Sequence, residues 1–137
     1  LDINSGVIIM SHKLKKESDD AGIVITFSGR VEADDVDSIQ EQINSSEGFP
    51  QLRYQIWDFS KAAEINITMA QIQDIAMHTA LASSKNPKLR IAIIPRKASH
   101  NVLGKTFHTF EKVWGSYESK SFRDIHAARE WGESGKT

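Results

Sequence analysis

Polar and apolar residues alternate weakly from His12 to Glu17, and Ile23-Val24-Ile25-Thr26-Phe27 is dense in β-branched side chains. With a turn at Ser18-Asp19-Asp20-Ala21-Gly22, this pattern predicts a β-hairpin whose second strand ends at Gly29. The period then changes: Val36, Ile39 and Ile43 recur three and four residues apart, predicting a helix that Asp34 or Asp35 can cap. Gly48 and Pro50 stop that helix, and Leu52-Arg53-Tyr54-Gln55-Ile56-Trp57 returns to a strand pattern. Leu52, Tyr54 and Ile56 share one face of this strand, Trp57 takes the other, and Asp58 ends it. A loop is expected from Ser60 to Ile67. Thr68-Met69-Ala70-Gln71 has capping-box spacing, and Met69, Ile72, Ile75, Ala76, Ala80 and Leu81 make the apolar face of a second helix.

Asn86-Pro87 breaks the second helix, and Ile91-Ala92-Ile93-Ile94 is apolar at every position. Such a run predicts a central parallel strand covered by helices on both faces. Leu103, Phe107, Phe110 and Trp114 follow at steps of four, three and four residues, a core-facing stripe on a third helix. Ser119 to Phe122 reads as a short edge strand, and Asp124 caps a last helix docked by Ala127, Ala128 and Trp131. Strands alternating with helices imply right-handed crossovers. The expected fold class is α/β, a mostly parallel central sheet of about five strands with an N-terminal hairpin and about four helices.

A chain of 137 residues has the usual length of one domain. The expected division is an N-terminal extension over residues 1–11, one α/β domain over 12–132 and a flexible tail over 133–137. Met10 reads as an internal start, and the apolar run Gly6 to Met10 is far short of the roughly 20 residues of a spanning helix. The chain does not open with a basic segment, long apolar stretch and cleavage site, so a cytoplasmic location is the default expectation. The 17 basic residues nearly cancel the 18 acidic ones, leaving a formal charge of -1 and no long-range field favouring nucleic acid. With no cysteine, disulfides, thiolate catalysis and thiolate metal sites are excluded.

Four strings resemble the SpoIIAA-like bacterial family, related in fold to STAS domains: Phe27-Ser28-Gly29-Arg30-Val31, Tyr54 to Ser60, Arg90 to Pro95, and Phe122 to Trp131. The last is the most telling, joining a phenylalanine, a basic residue, an aspartate and an alanine-bearing helix that ends in tryptophan; Gly104 also matches a glycine usual in the third helix. The resemblance implies a SpoIIAA-like fold in a small bacterial protein, with regulatory protein binding or small apolar ligand binding as its role. In regulatory STAS domains a hydroxyl residue at a helix N-terminus after the third strand is phosphorylated by a partner kinase, and Thr68 falls at that place. Asn66, Ile67 and Met69 depart from the surrounding Asp-Ser-Ser/Thr-Gly pattern. Thr68 is thus a candidate phospho-acceptor, and on its own residues a candidate helix cap contributing about 1 kcal/mol.

Direct chemical signals are sparse. His12, His78, His100, His108 and His126 form no pair four residues apart with a neighbouring acid, so neither a metal site nor a cofactor is expected. No serine lies in a nucleophile-elbow motif, and Gly104-Lys105-Thr106 lacks the leading glycine of a phosphate loop. Ligands of open α/β sheets bind beyond the carboxyl ends of the strands. Ser60, Lys61, Asn66 and Thr68 from one loop and Arg96, Lys97, Ser99 and His100 from the next are therefore expected to form one rim for an anion or an acidic partner. The plainer alternative is a solvated basic loop in which Ser99 caps the third helix. Met69, Met77, Phe107, Phe110 and Trp114 either fill a core or line an apolar pocket, which spacing alone does not separate. The leading expectation is a non-enzymatic domain that binds a protein partner near Thr68 and the second helix. A carrier or sensor of a small apolar or amphipathic ligand is the alternative, and a homodimer is left open.

Overall fold

A computed structural model describes residues 10–17, 20–97, 102–114 and 117–134. Strand β1 (Ser11–Lys16) pairs antiparallel with β2 (Gly22–Glu32), which gives the hairpin. There follow α1 (Ala33–Asn44), β3 (Tyr54–Asp58), β4 (Ala62–Asn66), α2 (Met69–Ala82), β5 (Arg90–Ile94), α3 (Val102–Trp114), β6 (Glu118–Ser121) and α4 (Ile125–Ser134). The sheet runs β1-β2-β3-β5-β6, and every neighbouring pair after the hairpin is parallel. The class is therefore α/β with a mostly parallel sheet and four helices, as the alternation of patterns implies. None of the described helices is long and apolar enough to cross a membrane.

The sheet has a sixth strand where a loop is expected. β2 does not stop at Gly29; it passes through that residue at φ 77, a left-handed conformation suited to glycine, with a register shift between Gly29 and Arg30. The continuation pairs in parallel with β4, from Gly29↔Ala62 to Glu32↔Asn66. Asp58 Oδ1 accepts the amide of Ser60 at 2.9 Å and its hydroxyl at 2.6 Å, a local turn that offsets β4 from β3. Most β4 side chains are exposed, so the strand is held by its backbone ladder and leaves almost no apolar pattern in the sequence.

One face of the sheet packs Ile25, Phe27, Trp57, Ile91 and Ile93 against Val36 and Ile39 of α1, Ile72 and Ile75 of α2 and Phe107 of α3. The other packs Val24, Tyr54, Ile56, Ala92 and Ile94 beneath α4, through Ala128 and Trp131. The two faces of β5 thus enter two cores, which explains its unbroken apolar run. Leu52 departs from expectation: it lies before β3 and joins the core opposite Tyr54 and Ile56. At the head of α1 the N-cap is Glu32, and Asp35 accepts its amide at 2.8 Å.

The fully buried Tyr54 ring lies between Gly22 and Gly132, while its hydroxyl donates to Glu17 Oε1 at 3.2 Å. Burial and the neighbouring Glu17 carboxylate push the Tyr54 pKa up to about 12. Glu17 also pairs with Arg129 of α4, and Arg90 donates to the Trp131 carbonyl at 2.7 Å. These contacts attach α4 to the sheet. A Cβ at position 132 would stand 2.5 Å from Tyr54 Cγ and 2.8 Å from its Cβ, at the base of a ring that cannot swing away. Overpacking costs about 1–3 kcal/mol, against a helix-propensity gain near 1 kcal/mol for alanine. Gly132→Ala is therefore expected to lower the urea midpoint, while Glu130→Ala on the exposed side of α4 leaves it nearly unchanged; equal midpoints would remove the packing argument.

Candidate functional site

The carboxyl ends of β3 and β5 lie side by side, with Asp58 opposite Ile94 and the Phe59 amide donating to the Ile94 carbonyl at 2.8 Å. The two following loops touch where Arg96 Nε donates to the Ala62 carbonyl at 3.0 Å. Ser60, Lys61, Arg96 and Lys97 are all exposed at this edge. Ser99 and His100 lie outside the described residues. Asn66 and Thr68 are not part of the same edge, contrary to the single rim expected. β4 carries the chain four residues beyond Ala62, about 13 Å at a strand's rise, before Asn66 is reached. Asn66 there donates to Glu32 Oε2 at 2.7 Å, while Arg30 stands 3.2 Å from Glu32 and 3.7 Å from Glu64. The extra strand therefore divides the expected rim into a cationic edge at Lys61 and Arg96 and a separate corner at the head of α2.

At that corner Thr68 is the N-cap of α2: its hydroxyl oxygen accepts the Gln71 amide at 3.2 Å, and the Gln71 side chain accepts the Thr68 amide at 2.9 Å. The residue is exposed. Ile72, Ile75 and Ala76 of α2 are buried, but Met69 and Leu81, expected in the core, are 65% and 70% exposed, and Met77 is 40% exposed. The helix has apolar residues around most of its circumference, so periodicity does not identify which of them meets the sheet.

Sequence reasoning missed one histidine cluster. His108 on α3 contacts Ser119 at 2.5 Å through Nδ1 and Ser121 at 2.8 Å through Nε2. The serines alternate on β6 and so face the same helix, a signal visible only once their partner element is known. Burial, with a smaller contribution from Lys112, holds the His108 pKa at about 4, so the ring is neutral near pH 7 and ties α3 to the edge strand. His78 Nδ1 lies 3.1 Å from Asp37 across α1 and α2. His12 and His126 are exposed, and no three potential ligands among the described residues converge on a metal position.

Between α1, α2 and the sheet is a cavity of about 40 Å3, with Trp57, Phe59, Ile75 and Phe107 in its wall beside the amides of Gln40 and Gln55. Gln55 accepts from Trp57 Nε1 at 2.9 Å, and Gln40 accepts from Thr79 at 2.9 Å. That space suits a water-sized molecule; small-molecule pockets are typically about 300–1,000 Å3.

A DUF3478-family protein with a SpoIIAA-like fold from Shewanella loihica superposes at TM-score 0.58 and 17% identity, covering 94% of this chain and 98% of that one. The anti-sigma factor antagonist SpoIIAA in its unphosphorylated form matches at 0.54 and 12% identity, covering 92% and 100%. The phosphorylated form of SpoIIAA, a Bacillus cell fate determinant, matches at 0.54 and 12%, covering 88% and 99%. The fold is SpoIIAA-like. No family model and no curated protein matches the chain. At these identities the SpoIIAA-like likeness extends to the path of the backbone and not to individual site residues.

The low pKa of His108 sets a pH dependence. Its folded value near 4 lies below the ordinary 6.5, so the unfolded chain binds a proton that the folded chain refuses. The associated stability is complete above about pH 6.5 and declines as the pH falls toward 4. Urea titrations at pH 7 and pH 5 are expected to show a smaller acid loss in His108→Gln than in the wild type; parallel losses would contradict the assignment.

Proposed function

We propose that this chain is a non-enzymatic, cytoplasmic regulatory domain that binds a protein partner through the outer face of α2, with Thr68 at the head of the contact. The observation carrying this reading is that three of the four exposed large apolar side chains among the described residues, Met69, Met77 and Leu81, belong to this one helix. Scattered single apolar residues are ordinary on a surface, whereas Met77 and Leu81 are neighbours one turn apart on α2, with Met69 exposed two turns earlier beyond the polar Gln73.

The structural neighbour SpoIIAA is an anti-sigma factor antagonist known in unphosphorylated and phosphorylated forms, so this fold accommodates a phosphorylated form in another protein. In this chain a phosphate on Thr68 would add nearly two negative charges beside the free amides of α2 and the exposed Met69. That would favour a compact cap while changing the charge at the head of the helix. The edge at Ser60, Lys61, Arg96 and Lys97 is the competing contact surface, suited to an anion or acidic segment. Carriage of a small apolar ligand is less well supported, because a cavity of about 40 Å3 would have to open by separation of α1 and α2.

A photo-reactive amino acid at position 81, introduced in source cells, tests this face. It is expected to cross-link one protein that a probe at exposed Lys15 does not, and Met77→Glu with Leu81→Glu is expected to reduce wild-type capture of that protein at least tenfold without changing the melting temperature. Unchanged capture by the folded double variant would refute the α2 contact.

A further inference from the structure

We infer that the occupant of the α2 face is a cationic amphipathic helix of a partner protein, lying along the groove between α1 and α2. This rests on the docking role proposed for α2 and adds the chemistry of what docks there. α1 carries Asp34, Asp35, Asp37 and Glu41, α2 carries Asp74, and neither helix contains a lysine or arginine. The chain has 17 such cations and a net charge of -1, so the acidity of these helices is a local segregation and not an overall property.

The groove between them is about 480 Å3. Asp37 and Glu41 line it from α1, His78 and Leu81 from α2, and Lys85 also contributes to its wall. His78 is paired with Asp37, whereas Asp34 and Glu41 are exposed and available to a cationic partner. Leu81 is the apolar residue in the wall of this groove, and Met77, one turn before it, is its exposed apolar neighbour on the outer side of α2, whereas Met69 lies about half a helical circumference away from His78. Methionine adapts to differing apolar shapes, so burial of Met77 and Leu81 supplies the attraction. Exposed ion pairs contribute only about 0–1 kcal/mol each, and the carboxylates chiefly select the partner and speed its approach.

Charge also discriminates among occupants. A symmetric dimer through this face would bring the acidic helices of two copies together, an acidic peptide would be repelled, and an anionic lipid surface would be repelled likewise.

The test titrates an 18-residue amphipathic helical peptide of leucine and lysine into the isotopically labelled full chain at low and high salt. Controls are a scrambled peptide of the same composition and a leucine–glutamate counterpart. The expected result is that amide shifts concentrate on α1 and α2, with the scrambled and acidic peptides at least tenfold weaker and binding weakened by salt. Asp34→Lys with Glu41→Lys, and separately Met77→Ser with Leu81→Ser, are each expected to weaken the interaction at least tenfold while retaining the wild-type melting temperature. Shifts elsewhere, equal binding of the scrambled peptide, insensitivity to either variant, or self-association through the same face would overturn the inference. Retention of the position-81 cross-link in the Asp34→Lys, Glu41→Lys variant would refute a cationic partner yet leave α2 docking intact; absence of a specific cross-link in the wild type would count against docking itself.

Discussion

Burial of β3 and β5 on both sides is the constraint from which the rest of the structure follows. Their side chains enter the core under α1, α2 and α3 on one face and the core under α4 on the other. Among the described residues α4 is the only helix that packs on the second face, so its attachment must be specific. Tyr54 between two glycines, the Glu17–Arg129 pair and Arg90 at the end of α4 provide that attachment. With the sheet covered on both faces, α1 and α2 lie in an outer layer and retain sides that meet solvent.

The candidate surface arises from that layering. A helix that only roofed a sheet would be expected to turn polar residues outward, but α2 turns Met69, Met77 and Leu81 outward while Ile72, Ile75 and Ala76 serve the core. Its neighbour α1 adds carboxylates across the groove. Apolar area and negative charge therefore meet on one side of the molecule, while Lys61, Arg96 and Lys97 stand at the end of β3 and β5. Thr68, the cap of α2, adjoins the exposed Met69 at the head of the same helix.

Several features were legible because they depend on local spacing. The hairpin, β3, the four helices and the unbroken apolar run of β5 each follow from a period of two, a period of 3.6 or burial on both faces. Thr68-Met69-Ala70-Gln71 identified a cap that depends only on residues three apart. β4 was not legible, since Ala62-Ala63-Glu64-Ile65-Asn66 has little alternation and its partner lies at Gly29 to Glu32. That missed strand also explains why Asn66 and Thr68 do not share an edge with Arg96.

The sequence by itself determined the hairpin, β3, β5 and the four helices, the two-sided burial of β5 and the absence of thiol chemistry, because these depend on residue type and on neighbours along the chain. Only the tertiary structure decided which side of α2 meets solvent, that His108 rests between two serines, and that Asp37 and Glu41 of α1 border the exposed Leu81. Those relations join residues far apart in sequence. They depend on how the helices rotate to fill the core over the sheet, a choice that an apolar pattern extending around most of α2 leaves unresolved.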